Sequence, residues 1–155
     1  MRIATTCRGI AAFLFAVVAT SDFACAGDSL YGKIVSVGRA DQVTLDYGPG
    51  RYELRLAGIE SPRDTRAAAV ARDFVADLVL EKNVRMRFLG RTEDGAMLVR
   101  LFTDEPDRGI REVNVELVRS GLVRRIDGAD FKYDVLSKAE SEARAARRGL
   151  WAGDR

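Results

Sequence analysis

Between Arg51 and Leu56 the chain alternates strictly, with Tyr52, Leu54 and Leu56 in one set and Arg51, Glu53 and Arg55 in the other. An extended strand sorts such a series onto two faces, because successive strand side chains point to opposite sides. The Leu54–Leu56 face is therefore assigned to a core, and Arg55 points away from it. Strand patterns recur at Ile34, Val35 and Val37, at Val43 and Leu45, at Val84, Met86 and Phe88 against Arg85 and Arg87, and from Met97 to Phe102. Turn residues separate them: Gly38-Arg39-Ala40-Asp41, Asp46-Tyr47-Gly48-Pro49-Gly50 and Asp94-Gly95. Short strands joined by tight turns predict a small antiparallel barrel, since closure hides the unpaired edges.

Elsewhere the period changes to that of helices. Val70, Ala71, Phe74, Val75, Leu78 and Val79 form an apolar stripe after Ser61-Pro62. Ser61 is a candidate N-cap there, with Pro62 at the first helical position. A short helix is expected over Glu112–Arg119, stopping at Gly121. A last one is expected over Tyr133–Arg148, with Leu136, Ala139, Ala143 and Ala146 inward, Gly149 as its stop, and Leu150 and Trp151 anchoring the chain end. Three strands, a helix, two strands and two helices define an α+β, mainly β class in which helices cover a barrel.

The first 26 residues do not fit that domain. A basic start at Arg2 and Arg8 precedes the apolar run Ile10–Thr20 and the Ala24-Cys25-Ala26 site, which is the layout of a secretory signal. The run is well short of the ~20 residues a membrane-spanning helix needs, so cleavage after Ala26 is expected. An uncleaved anchor and lipidation of Cys25 are the alternatives. Residues 27–155 then form one exported domain, periplasmic or secreted, with no stable membrane insertion. Both cysteines, Cys7 and Cys25, leave with the signal, so the domain carries no thiol into an oxidising compartment. The chain has no histidine, which excludes His-based triads, imidazole bases and His-ligated zinc. Lys and Arg number 25 against 23 Asp and Glu. Nucleic-acid binding must therefore come from a local patch and not from bulk charge.

Four ordered segments are similar to those of staphylococcal-nuclease-like (thermonuclease-like) domains: Gly32–Val37 with Asp41 and Val43–Leu45, Arg55-Leu56-Ala57-Gly58-Ile59-Glu60-Ser61-Pro62, Val113–Leu122, and Leu136–Trp151. The resemblance spans Tyr31 to Trp151. It implies an OB-fold five-stranded barrel with three helices, and calcium-dependent hydrolysis of DNA and RNA phosphodiesters. Such a site uses a metal to polarise phosphate, arginines to neutralise growing charge and a glutamate to activate water. Carried over by position, the resemblance assigns metal ligation to Asp41, Glu60 and the Ser61 backbone carbonyl, and a phosphate contact to Arg55. Glu60 stands where the family has aspartate and is longer by a methylene.

Two roles are lost by the same comparison. Arg63 occupies the place of the general-base glutamate, and Ala96 that of the second phosphate arginine. A guanidinium stays protonated and cannot act as a base; beside a metal site it also opposes calcium. Removing one charged group that stabilises the transition state typically costs roughly 10²–10³ in rate. Glu93, Asp94 and Asp64 are candidate replacement acids, and Arg63 or Arg66 a replacement cation. The resemblance thus implies a catalytically impaired domain, with calcium weak or absent, acting as a nucleic-acid- or anion-binding module toward single-stranded DNA or RNA. An active calcium-dependent nuclease and a structural module binding another envelope protein are the alternatives. Plainer readings stand beside these: Asp41 as a turn former, Arg55 as a solvated charge, and Arg85, Arg87, Arg91 and Arg100 as a scattered basic face.

Overall fold

The structure, a computed structural model, describes residues 29–126 and 134–153. The expected leader (1–26) and Tyr133, the expected start of the last helix, lie outside these residues. In chain order the elements are β1 (Ser29–Arg39), β2 (Gln42–Tyr47), β3 (Gly50–Leu56), β4 (Ile59–Glu60), α1 (Thr65–Val79), β5 (Asn83–Arg91), β6 (Met97–Glu105), β7 (Gly109–Glu112), α2 (Val113–Arg119), β8 (Arg124–Arg125) and α3 (Asp134–Ala145), followed by a 3-10 turn at Gly149–Trp151.

β1, β2 and β3 form an antiparallel meander, β5 pairs with the free side of β1, and β6 pairs with β5. β3 and β6 then meet in parallel through Leu54–Met97, Arg55–Leu98 and Leu56–Val99. That last pairing closes a five-stranded barrel and removes its edges. β7 extends the outside of β6, while β4 and β8 form a separate two-stranded ladder. Ile34, Leu45, Leu54, Leu56, Met86 and Leu101 fill the interior with under 2% exposure. Each side chain of this size stabilises the fold by about 2 kcal/mol.

α1 starts later than the Ser61-Pro62 pattern suggested. Asp64 is the N-cap, its carboxylate accepting a hydrogen bond from the Ala67 N–H at 2.8 Å. Ser61 is drawn inward behind β4 and is buried, so it cannot serve the helix start. The inward stripe is Ala71, Val75 and Val79, with Phe74 and Leu78 partly covered; Val70 faces out, 52% exposed. Glu112 is the residue before α2 and not its first residue.

α2 is a seven-residue helix that holds the barrel through a buried amide. The Asn114 carbonyl oxygen accepts from Leu101 N–H at 3.1 Å, and its amide donates to the carbonyls of Ala57 at 2.9 Å and Val99 at 3.4 Å. α3 buries Leu136, Ala139 and Ala143, but the expected Ala146 is exposed, and Glu140 takes a buried place beside Arg125 and Arg144. Gly149 is not the helix stop. Arg147 holds the left-handed conformation (φ 50°), with Arg147 N–H donating to Arg144 and Arg148 N–H to Ala143, both at 3.0 Å, the double bond of a Schellman end.

Gly149 instead meets Gly121 back to back. A Cβ on Gly121 would lie 2.2 Å from the Arg148 carbonyl oxygen, and one on Gly149 would lie 2.3 Å from that of Gly121. The crossing lets Leu150 N–H bond to Gly121 O at 2.9 Å and seats Trp151, 6% exposed, between Arg124 and Arg144. No helix among the described residues is long and apolar enough to cross a membrane.

Candidate functional site

The residues matched by position to a phosphate site begin with Asp41, at the turn from β1 into β2. Its backbone carbonyl accepts from Leu56 N–H at 2.9 Å. The neighbouring register sets Gln42 opposite Arg55, so Arg55 emerges from β3 beside the Asp41 carboxylate. The parallel pairing of Arg55 with Leu98 brings the β5–β6 turn over the same spot. Sequence distance is irrelevant here: Arg55 and Asp94 are brought together by barrel closure alone.

The result is a closed ion-pair cluster. Arg55 reaches Asp41 Oδ2 at 3.5 Å and donates to Asp94 Oδ2 at 3.0 Å. Arg39 Nε lies 3.1 Å from Asp41 Oδ1, without the alignment of a hydrogen bond. The Asp41 carboxylate is 5% exposed, whereas the Arg55 side chain retains 26%. Arg55 Nε is buried without a hydrogen bond among the described residues. Thr92 completes the arrangement: its hydroxyl donates to Asp94 Oδ1 and its N–H to the Ala96 carbonyl at 2.9 Å. The Thr92 hydroxyl bond and, next among the lowering influences, the Arg55 charge hold the Asp94 carboxyl below its ordinary range.

The other expected residues lie apart from this cluster. Glu60 is exposed at the end of β4, where Arg63 lies 4.0 Å from its carboxylate and Arg124 stands opposite it on β8. Arg63 is 95% exposed. Ala96 is buried, its carbonyl accepts from the Thr92 N–H across the β5–β6 turn, and its methyl group offers no donor. Ser61 is buried next to Glu60. Among the candidate replacements, Asp64 is occupied as the α1 cap and Asp94 is paired with Arg55. Glu93 and Arg66 make no ion pair or hydrogen bond among the described residues. Arg39 and Thr92 were not identifiable as partners from sequence, because turn residues carry no signal of what the closed barrel brings over them.

A calcium ion needs 6–8 hard oxygen ligands. Asp41 is already neutralised by two guanidiniums and Glu60 faces a third. Among the described residues no three acidic, histidine or cysteine side chains converge.

A five-stranded closed barrel with three covering helices defines an OB-like α+β class. The model of the family described as staphylococcal nuclease homologue matches residues 53–153, two thirds of the chain, and this protein belongs to that family. The match runs from β3 through Trp151, while β1, β2 and Asp41 precede it. Comparison with curated proteins found no match.

Proposed function

We propose that the protein is an exported nuclease-fold module that has lost phosphodiester cleavage and binds single-stranded DNA or RNA. The observation that carries the loss is the state of Arg55. Its guanidinium is held between Asp41 and Asp94, so a phosphate must compete with two carboxylates for it. The position of the general base is held by Arg63, a cation in open solvent, and that of the second arginine by the methyl group of Ala96. Each change removes a different part of the chemistry: proton acceptance, charge neutralisation, and the freedom of the remaining arginine. Calcium is weakly held or not held at all on this reading. Membership of a nucleic-acid-cleaving family, with the barrel intact, supports retention of binding. The basic-apolar-small pattern of residues 1–26 supports export.

The test is a nuclease assay on the purified protein with denatured DNA and RNA plus calcium, against a chelator control. An Arg63→Glu, Ala96→Arg double variant is assayed alongside. Silence from the native protein with gain by the variant is expected. Chelator-sensitive cleavage by the native protein, abolished by Arg55→Ala, refutes the reading and establishes the active-nuclease alternative. N-terminal sequencing of the protein recovered from outside the cytoplasm is expected to begin at Gly27.

A second reading, docking of another envelope protein, is favoured by one observation. A shallow, mostly apolar depression of about 280 Å³ is lined by Val70, Leu122 and Leu150 with Ala67, and none of Asp41, Arg55 or Asp94 borders it. On that reading Val70→Asp abolishes co-purification of an envelope protein.

A further inference from the structure

Three of the four arginines that read as a scattered basic face are aligned on the barrel. β1, β5 and β6 lie side by side, and their register aligns two rows. Tyr31 stands opposite Arg85, and Arg85 opposite Phe102; one step along, Ser29 stands opposite Arg87, and Arg87 opposite Arg100. Both rows face outward, because the residues alternating with them, Val84, Met86, Val99 and Leu101, are buried. Arg91 is excluded from this wall; it donates to the Gly95 carbonyl at the far turn.

The wall joins stacking surface to uncompensated charge. Tyr31 is 62% exposed. Arg85 and Arg100 both lie over the Phe102 ring, at 5.0 and 5.4 Å from its centroid, which holds two guanidiniums against the wall. Arg100 is also bound by Glu112 at 2.9 and 2.6 Å. Arg85 and Arg87 have no carboxylate partner among the described residues. The pairing of Arg87 with Arg100 works against folding, since like charges directly opposite one another destabilise a sheet. Tyr31 and Phe102 are two strands apart, roughly 10 Å, with Arg85 on the strand between them and its guanidinium over Phe102.

We propose that this wall, and not the Arg55 cluster, is the surface on which the protein binds single-stranded nucleic acid. Bases stack on the Tyr31 ring and on the guanidinium planes held over Phe102, and Arg85 and Arg87 take phosphates. A duplex is disfavoured, because its base faces are not available for stacking. The inference rests on the reading that the protein binds nucleic acid. It departs from the site matched by position, where Arg55 is already held by two carboxylates. An acidic protein would be drawn by the same arginines but would have no use for an exposed Tyr31 ring.

The test is fluorescence anisotropy with a labelled oligothymidine, an oligouridine and a duplex at low salt. The purified protein is compared with Tyr31→Ala, with the double variant Arg85→Gln, Arg87→Gln, and with Arg55→Gln. Thermal melts check that the variants remain folded; Tyr31 and Arg87 are exposed, and their loss leaves the core intact. The native protein is expected to bind the single strands more tightly than the duplex. Tyr31→Ala weakens single-strand binding roughly 5- to 100-fold, the worth of one stacked base. The double arginine variant lowers the salt slope by about 0.7 for each phosphate that is no longer neutralised, and Arg55→Gln changes little. If Arg55→Gln abolishes binding and the wall variants do not, the wall is overturned while the proposed function stands. If the native protein binds none of the oligonucleotides at low salt, both fall. If polyglutamate binds as tightly and Tyr31→Ala has no effect, the wall is an acidic-protein surface and the proposal is overturned.

Discussion

Replacing Gly121 by alanine tests how the two helix ends are locked together. Gly121 has φ +71°, and a Cβ there meets the Arg148 carbonyl oxygen at 2.2 Å and its carbon at 2.8 Å. Both obstacles are backbone, so no side-chain rotation relieves the clash. The left-handed conformation itself costs an alanine about 1 kcal/mol. Separating the segments by the ~1 Å that van der Waals packing requires breaks the Leu150–Gly121 hydrogen bond, another ~1 kcal/mol. It also loosens the seat of Trp151, a large buried ring whose partial exposure adds about 1–3 kcal/mol. The total is about 3–5 kcal/mol. Gly109 is the control: its φ is +66°, but nothing lies within 4 Å of a Cβ built there, so Gly109→Ala carries only the conformational cost. At ~4 °C per kcal/mol for a domain of this size, thermal melts should fall by roughly 12–20 °C for Gly121→Ala and about 4 °C for Gly109→Ala. Equal shifts for the two variants would show that the back-to-back approach contributes nothing and would refute the reasoning.

Three further outcomes are expected. Asn114→Leu leaves the Leu101 N–H and the Ala57 carbonyl buried without the amide; at ~1–3 kcal/mol each, urea titration should show a loss of about 2–6 kcal/mol, and a loss under ~1 kcal/mol excludes a structural role for the amide. The Asp94 carboxyl is depressed, so its pairing with Arg55 is fully present above the ordinary carboxylate value of 3.8 and is lost as pH falls through the lower folded value. A carboxyl NMR titration should therefore place its midpoint below 3.8, with Thr92→Val moving it up; a midpoint at or above 3.8 contradicts the geometry. Asp94→Asn removes one of the carboxylates holding Arg55, so inorganic phosphate should perturb the Arg55 side-chain NMR signals at lower concentration in the variant than in the native protein, and no difference means that Arg55 is not held in check by Asp94.

Local signals carried much of the architecture. The alternation at Tyr52, Leu54 and Leu56 marks β3 because burial of one face demands a period of two. Arg63 directly follows the Arg55–Pro62 segment, which fixes its place by resemblance, whereas Ala96 is placed only by the Asp94-Gly95 turn before it. Helix ends were less legible. Ser61 and Asp64 are both good caps, and only the inward turn after β4 decides between them. Gly149 looked like a helix stop because glycine tolerates positive φ, yet the left-handed residue that ends α3 is Arg147, and Gly149, also at positive φ, is where Gly121 passes behind the chain.

The sequence by itself determined the order of the main elements, the barrel class and the family segments. These are properties of nearest neighbours and of short periods, where the side-chain pattern and the backbone geometry are coupled directly. Only the tertiary structure decided that Arg55 is shut between Asp41 and Asp94, and that Tyr31, Arg85, Phe102, Arg87 and Arg100 form two rows on one wall. Strand register and the parallel closure of β3 on β6 set those neighbours. They arise from the chain meeting itself across 39 residues between Arg55 and Asp94, a separation over which local preference carries no information.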